Sequence, residues 1–346
     1  MDECTQPVTA SRRQCSVEVL SQVVLLVVVV HRFTSGDRRR WARPVLGEAL
    51  IASPLIRTWP QDADSAQIGH GGSGITLVRE QLFLRALRKA ADKRRAEQIM
   101  RIAVAGATGN IGSLTVATLE RAGHDVVRIS RSLGVDLQTG DGLGAALTGV
   151  EAVIDTTSTN AVDRGEAIAY FAATTSNLLA AEAGAGVSHH VLLSIVGLDR
   201  VEGNAHMVGK REQERLVIEG RVPWTIVPAT QFHDFAAAVT AWTEQDGVAM
   251  IPPLLVQPIA PADVADVLAE IAVGPPLGRH PDVAGPEPQD LVDMARRTND
   301  ARGHKVKLVP TWSSLLGVDM AGNVLLPGEG ARIAPTTFDA WLAQQR

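Results

Sequence analysis

Cysteine and tyrosine are almost absent from this chain. Its two cysteines, Cys4 and Cys15, lie in the N-terminal piece, and Tyr170 is the one tyrosine among 346 residues. The main body therefore has no thiol for a disulfide framework, a metal–thiolate site or a cysteine nucleophile. We expect no metal site, and the cytoplasm is the simplest compartment for such a protein.

Long apolar runs are also lacking, although Val23–Val30 comes close to one. Counted from Val17, the run is only 14 residues long and is interrupted by polar residues, whereas a membrane-spanning helix needs about 20 apolar residues. A secretory signal is the better alternative, because Arg12 and Arg13 precede the run, but no small-residue cleavage site follows it. We expect no membrane partner.

Basic residues are in deficit outside the N-terminal piece. Residues 1–99 hold 15 of the 33 Lys and Arg residues but only 10 of the 38 Asp and Glu residues. The remainder thus carries 18 basic and 28 acidic residues. Nucleic-acid binding depends on basic residues that neutralise phosphates, so an acidic body argues against it. We expect no nucleic-acid partner.

The N-terminal piece shows no pattern of a compact fold. Met100 is the first methionine after Met1, and the regular part of the sequence begins at Arg101. Our hypothesis is that Met100 is the native start and that residues 1–99 are an extension, either disordered or produced by a wrongly assigned start.

The main body opens with a strand, a glycine-rich turn and a helix. Residues 102–105 are an apolar run typical of a buried parallel strand, and the residues after the turn recur at helical spacing up to Gly123. Glycines at three-residue intervals permit a tight turn, close approach of a pyrophosphate and close helix–strand packing. The helix N-terminus then offers free N–H groups to phosphates. The residues expected to bind a dinucleotide here are Gly106, Thr108, Gly109, Asn110, Ile111 and Gly112.

The end of the second strand bears on the choice of cofactor. NAD-preferring sites usually have an acidic residue there, which holds the ribose hydroxyl. This chain has Ser130 and Arg131 instead, which favours the extra phosphate of NADP, with NAD still possible. Arg128 is a candidate second contact, and Asp136 stands where an adenine contact is expected.

Strands and helices alternate through the rest of the main body. The third strand, residues 152–158, ends in Thr156, Thr157 and Ser158, which we expect to line the cofactor because carboxyl ends of parallel strands face the ligand. Further strands are predicted at 190–196 and 224–227. The pattern predicts an α/β fold with a doubly wound, Rossmann-type parallel sheet and a small C-terminal substrate lobe over about 229–346.

Further motifs follow in order along the chain. They are Leu193-Ser194-Ile195, Gly209-Lys210-Arg211-Glu212-Gln213-Glu214, Val222-Pro223-Trp224-Thr225-Ile226-Val227, Ala229-Thr230-Gln231-Phe232-His233-Asp234-Phe235 and Ala284-Gly285-Pro286-Glu287. Together with the glycine turn, they make residues 101 to about 343 resemble an atypical short-chain dehydrogenase/reductase of the NmrA-like, NAD(P)-binding group.

The resemblance implies catalytic positions, one of which departs from the family. Such proteins use a serine and a Tyr-x-x-x-Lys pair, and Ser194 and Lys210 match the serine and the lysine, which also holds the cofactor. The tyrosine position holds His206, and no Tyr-x-x-x-Lys exists in the chain. Tyr170 is followed four residues later by Thr174 and is expected to pack rather than to catalyse.

Histidine could take over the missing acid/base role. Imidazole has an ordinary pKa of about 6.5, so His206 could donate a proton during hydride transfer. An exposed loop histidine is the alternative of equal weight. Gln231, Phe232 and His233 follow the fifth strand and are expected to contact substrate.

These observations predict an NADP(H)-dependent oxidoreductase that transfers hydride to a quinone-like or small carbonyl acceptor. Quinones are already electrophilic, so their reduction can proceed without the tyrosine. The alternative is a non-catalytic, NADP-sensing regulator of the NmrA-like type. We expect a small-molecule substrate and a monomer or homodimer.

Overall fold

The computed structural model describes residues 99–313 and 316–345. The expectations for the N-terminal extension and its apolar run concern residues outside this part. Within the described ranges, no helix is both long enough and apolar enough to cross a bilayer.

Strand β1 (Arg101–Ala105) leads through the glycine turn into helix α1 (Asn110–Ala122), and β2 (Asp125–Ile129) follows. Ile102 and Val104 pack into the apolar core on one face of the sheet, and Ala103 and Ala105 pack into the core on the other. This alternation follows from the two-residue period of a strand and places β1 in the middle of the domain. Helix α1 ends at Gly123, whose φ of 92° makes a left-handed cap, as the sequence predicts.

The next six segments continue the alternation. They are α2 (Leu143–Ala146), β3 (Ala152–Asp155), α3 (Arg164–Ala185), β4 (His189–Ile195), α4 (Ala205–Glu219) and β5 (Trp224–Ala229). Strand β3 is shorter than the predicted 152–158. The side chain of Asp155 accepts a hydrogen bond from the Thr157 backbone N–H, which turns the chain out of the sheet.

The central sheet is parallel and has the strand order β2-β1-β3-β4-β5 over these strands. Its direction of progression reverses between β1 and β3, which is the point where open α/β sheets bind ligands. Helix α1 covers one face, and α2 and α3 cover the other. The predicted doubly wound, Rossmann-type parallel sheet is confirmed.

The remaining chain contributes to two parts of the molecule. Its elements are α5 (Phe235–Thr243), β6 (Val248–Ile251), β7 (Leu255–Val256), α6 (Pro261–Ala272), β8 (Gly278–Arg279), β9 (Val283–Ala284), β10 (Gln289–Asp290), α7 (Leu291–Arg302), β11 (Lys307–Pro310), β12 (Arg332–Ile333) and α8 (Phe338–Leu342). Strands β8, β9 and β12 extend the central sheet beyond β5, and α6 packs beside α1. The pairs β6–β11 and β7–β10 lie apart from that sheet.

The C-terminal lobe is therefore interleaved with the sheet instead of following it. Helices α5, α7 and α8 pack around an apolar core of their own, with Ile251, Leu291 and Phe338 fully buried in it. Residues 261–284, which fall inside the lobe predicted at about 229–346, belong mostly to the sheet and its covering helix. The two-residue strands that make this difference are too short for a periodic pattern.

Helix α1 packs against the glycine turn with no room for a side chain at Gly112. A Cβ atom there would lie 2.1 Å from the carbonyl oxygen of Gly106 and 2.9 Å from the Thr156 hydroxyl. Gly106 itself has a φ of 77°, in the left-handed region. The turn, the helix and the end of β3 are thus fixed against one another by backbone contacts.

Replacing Gly112 with alanine should lower the free energy of unfolding by about 1–3 kcal/mol, because the added methyl group overpacks rigid backbone. It should also weaken cofactor binding, since the helix must move away from the turn. Urea unfolding and a cofactor titration measure the two effects.

Gly184→Ala is the matched control, because a Cβ atom at this position of α3 meets nothing within 4 Å. It should be neutral or stabilise the protein by about 0.5–1 kcal/mol. Equal effects of the two substitutions would contradict the assignment of Gly112.

Candidate active and cofactor site

A cleft of about 1000 Å³ lies where the sheet order reverses, at the carboxyl ends of β1, β2, β3 and β4. It is of the size of small-molecule and cofactor sites. Most of the residues that the sequence singles out line it, and these are Gly106, Thr108, Gly109, Asn110, Ile111, Ser130, Arg131, Asp136, Thr156, Thr157, Ser158, Ser194, His206, Lys210 and Phe232. Gly112, Gln231 and His233 are not among the described residues that line it.

The glycine turn has the form that a diphosphate needs. The N–H groups of Gly106 and Ala107 donate to the carbonyl oxygen of Ile129, which ties the turn to the end of β2. Helix α1 begins after Gly109, with no side-chain cap and no acidic residue in its first turn. Its N-terminal N–H groups and positive dipole end therefore face the cleft with no side chain of the helix's own first turn capping them. These residues fit the pyrophosphate of a dinucleotide.

Two polar side chains at this end are already engaged by the protein. The Thr156 hydroxyl donates to the carbonyl oxygen of Ala105 at 2.8 Å, so it fastens β3 to β1 beneath the turn. The Asn110 amide donates to the Asp234 carboxylate at 2.5 Å, across 124 residues of sequence. Burial raises the pKa of Asp234. The glycine turn is thus joined to the start of α5.

Of the two arginines near the end of β2, Arg131 is available to a ligand and Arg128 is already paired within the protein. Arg131 is exposed and lines the cleft, and its guanidinium has no hydrogen-bond or ion-pair partner among the described residues. Arg128 donates to the Glu120 carboxylate of α1 at 2.7 Å and does not line the cleft. The expectation of Arg128 as a second phosphate contact is therefore not supported. Ser130 lies beside Arg131, with its hydroxyl 2.9 Å from that of Ser132.

The loop expected to contact adenine is rigidly held. Asp136 accepts the backbone N–H of Gln138 at 2.8 Å. From α3, the Asn177 amide donates to the carbonyl oxygens of Leu137 and Gln138. Asp136, Leu137 and Gln138 all line the cleft.

Lys210 lies at the opposite end of the cleft in a buried hydrogen-bond network. Its ammonium donates to the carbonyl oxygen of Leu193 at 2.7 Å and to the side-chain oxygen of Gln213 at 2.5 Å. The Gln213 amide donates in turn to Asp155 at 2.9 Å and to the Thr157 hydroxyl at 3.1 Å. An ammonium has three N–H donors, so one is left for the cleft.

Burial is the main influence on the pKa of Lys210. Loss of solvent lowers the pKa of Lys210 to about 8, and the negative charges of Asp155 and Glu214 oppose that shift in part. Lys210 is therefore mostly protonated at neutral pH, yet its proton is much easier to release than that of an exposed lysine.

Ser194 lines the cleft beside this network and has a buried partner of its own. Its hydroxyl donates to Glu214 at 2.5 Å, and the other oxygen of that carboxylate accepts from Arg279 of β8. Gln213 and Glu214 are neighbours on α4. One therefore positions Lys210 and the other positions Ser194.

His206 lines the cleft, but its protonation state differs from the one that the sequence predicts. Its ring packs edge-on against Phe171, with ring centroids 5.7 Å apart. Burial and the positive charge of Lys210 lower the pKa of His206 to about 4, against a hydrogen bond with the Thr159 backbone that raises it. The imidazole is neutral at neutral pH, so the expectation that it titrates near 6.5 is wrong.

Two aromatic residues that the sequence did not assign to a site line the cleft. Tyr170, expected to pack, faces it from α3, where burial and the charge of Asp155 raise the pKa of its phenol. Trp242 of α5 also lines it, with 55% of its surface exposed. The exposure of this large aromatic side chain is the signal that could have marked it, and that exposure is known only from the structure.

Of the three residues predicted to contact substrate, only Phe232 lines the cleft. His233 instead packs between Phe338 and Trp341 of the lobe, and one ring nitrogen is 3.1 Å from the carbonyl oxygen of Thr336. Burial lowers the pKa of His233. In the structure, His233 is therefore a packing residue of the lobe core and does not line the cleft. In the described part of the chain, no cluster of His, Cys, Asp and Glu could hold a metal ion.

The lowered pKa of His206 makes stability depend on pH. Between pH 6.5 and about 4, the unfolded chain binds a proton at this position that the folded chain refuses. The free energy of unfolding therefore falls as pH falls through this window. His206→Gln should make this fall less steep, as measured by urea unfolding at several pH values.

The slope with pH is the informative quantity, since glutamine changes the packing against Phe171 equally at every pH. Identical slopes for the wild type and the variant would show that His206 is protonated normally in the folded protein.

Comparison with known proteins agrees with this geometry. Residues 106–275 match the model of a family described as NAD(P)H-binding. No curated protein matches the chain.

Several solved structures share the fold. The dTDP-4-dehydrorhamnose reductase of Bacillus anthracis in complex with NADP is 15% identical, with a TM-score of 0.52 over 68% of this chain and 89% of that one. A short-chain dehydrogenase/reductase superfamily protein of Agrobacterium tumefaciens with bound NAD is 18% identical, with a TM-score of 0.52 over 71% and 95%. An NADPH-dependent quinone oxidoreductase of Escherichia coli is 16% identical, with a TM-score of 0.50 over 70% and 98%. Residues 106–275 are thus similar to the NAD(P)H-binding family, and the chain shares the fold of these three solved structures.

Proposed function

We propose that the protein is an NADP(H)-dependent oxidoreductase that transfers hydride to a quinone-like or small carbonyl acceptor. The observation that carries this proposal is a single cleft that joins the glycine turn at one end to Ser194, His206 and Lys210 at the other. A dinucleotide whose diphosphate lies on the turn has its reactive ring toward Lys210 in such an arrangement. When bound, the reduced nicotinamide supplies the hydride.

Lys210 is the residue best suited to assist the reaction. Hydride addition to a carbonyl or quinone leaves negative charge on oxygen, and a preorganised donor in a dry site stabilises that charge. The free N–H of the Lys210 ammonium can do this. With a pKa of about 8 it can also release the proton that the oxygen needs. His206 is neutral and is assigned a positioning role beside it.

The lining of the cleft favours a flat acceptor. Phe232 and Trp242 present aromatic surface to it, and Leu193 and Ile195 add apolar side chains. A quinone combines such a flat apolar body with oxygens that can accept from Lys210, and it is electrophilic without a tyrosine acid. The fold shared with the Escherichia coli quinone oxidoreductase is compatible with this assignment.

A non-catalytic NADP sensor is the second candidate. It is favoured by the commitment of the Ser194 proton to Glu214 and by the neutrality of His206, which leave few donors for an acceptor oxygen. The two candidates share the cofactor site and differ in turnover.

The proposed NADP preference rests on Arg131. Arg131→Ala should weaken NADPH binding about tenfold, the low end for a charge-assisted hydrogen bond, because this arginine is exposed to solvent. NADH binding should change little, since NADH lacks the ribose phosphate. Fluorescence titration of both reduced cofactors measures the effect.

Arg128→Ala is the matched control, because that arginine lies only three residues earlier, within β2, but pairs with Glu120. It should leave both affinities unchanged. A parallel loss of NADPH and NADH affinity in Arg131→Ala would argue that this residue does not select the phosphate.

Turnover is tested with NADPH oxidation against a panel of quinones, aldehydes and azo dyes. We expect quinones to be reduced fastest and Lys210→Met to lower kcat/KM about a hundredfold, as expected for loss of a proton donor. The rate should fall as pH rises above about 8, where Lys210 loses its proton, and should show no step near pH 6.5.

Two results would change the assignment. Tight NADPH binding without turnover of any acceptor would favour the sensor. An unchanged pH profile in Lys210→Met would remove this lysine from the chemistry.

A further inference from the structure

The direction of the hydrogen bond at Ser194 determines what this residue can offer to a ligand. Ser194 is 2% exposed and Glu214 is 5% exposed, so water does not compete for their contact. The serine oxygen donates to the carboxylate at 2.5 Å. A hydroxyl has a single proton and two lone pairs. With that proton directed at Glu214, Ser194 can only accept a hydrogen bond from the cleft.

The carboxylate is held in this orientation from the other side. Arg279, at the end of β8, donates to the second oxygen of Glu214. Strand β8 is fixed by its pairing with β5, in which Ile226 lies opposite Arg279. A carboxylate between an arginine and a serine can serve only as an acceptor toward both. Neither Glu214 nor Arg279 lines the cleft, so the hydrogen-bond direction at Ser194 is set by two residues that do not touch the ligand.

We propose that Glu214 is a positioning residue that makes Ser194 a hydrogen-bond acceptor, so that the cleft selects aromatic ligands that carry a hydroxyl group. The hydroxyl of the ligand donates to Ser194, while an oxygen acceptor on the same ligand can take the free N–H of Lys210. The inference rests on the proposed function in placing an aromatic ligand at this end of the cleft. It adds which substituent that ligand carries.

Replacing Glu214 with glutamine should reverse the direction of the hydrogen bond between this residue and Ser194. Its side-chain oxygen can keep the hydrogen bond from Arg279, and its NH₂ group then faces Ser194 and donates to it. The serine proton is released from its partner and can point into the cleft. Glu214→Gln thus converts Ser194 from an acceptor into a donor with almost no change in shape.

The test compares 2-naphthol with its methyl ether, which keeps the aromatic rings and the oxygen but has a methyl group in place of the donating hydrogen. Their dissociation constants are measured by calorimetry on the protein saturated with NADP⁺. The wild type should bind the naphthol about tenfold more tightly than the ether, the contribution of one hydrogen bond. In Glu214→Gln the preference should vanish or reverse, and in Ser194→Ala it should vanish.

Glu212→Gln is the control, because Glu212 lies on the same helix but pairs with Arg215 at the surface. It should keep the wild-type preference. The ratio of the two constants within one variant is compared, so a general loss of affinity or stability cancels.

Equal binding of both probes by the wild type would overturn the proposal, as would a preference that persists in Ser194→Ala. Failure of the wild type to bind either probe at millimolar concentration would overturn it too, because the cleft would then not accept a hydroxylated aromatic. The assay needs no turnover. A donor preference that depends on Ser194 in a protein without reductase activity would therefore leave this inference standing while the proposed reaction fails.

Discussion

The close contact between helix α1 and the glycine turn sets the geometry on which the cofactor end of the cleft depends. The helix lies so near the turn that only hydrogen fits at Gly112. The same turn is bonded to the end of β2 through Ile129, and the end of β3 is bonded to β1 through Thr156. Three strand ends and one helix N-terminus thus have fixed positions relative to one another. A phosphate site made of backbone N–H groups requires this, because such groups cannot adjust as side chains do.

The far end of the cleft is organised by buried charge. Lys210, Asp155 and Glu214 are each almost inaccessible to water, and burial of a charge is costly unless it has partners. Each of them has hydrogen-bond partners. Gln213 connects the ammonium to the Asp155 carboxylate, and Arg279 shares Glu214 with Ser194. The buried hydrogen bonds of Lys210 fix its position, and the same burial lowers its pKa, so a substitution that changes one is expected to change the other.

The sequence was informative wherever the signal was local. The strand, glycine turn and helix around Gly106 and the parallel sheet follow from periodicity and spacing. The positions of Ser194 and Lys210 in the site were implied by the family resemblance. Burial and partner choice are tertiary properties, and they explain the differences. The pKa of His206, the engagement of Arg128 by Glu120 and the hydroxyl of Thr156 bound beneath the turn all depend on neighbours far along the chain. Phe232 and His233 are adjacent in sequence, yet one faces the cleft and the other the lobe core.

The interleaving of sheet and lobe has a consequence for how this architecture can vary. The chain leaves the sheet after β5, returns in α6, β8 and β9, leaves again and returns in β12. Several covalent crossings, and the contact of Asn110 with Asp234, therefore link the two parts. A lobe attached by one linker can be exchanged between proteins by a single recombination event. This one cannot, so a new ligand specificity in such a chain is expected to arise from substitutions of single residues within the cleft.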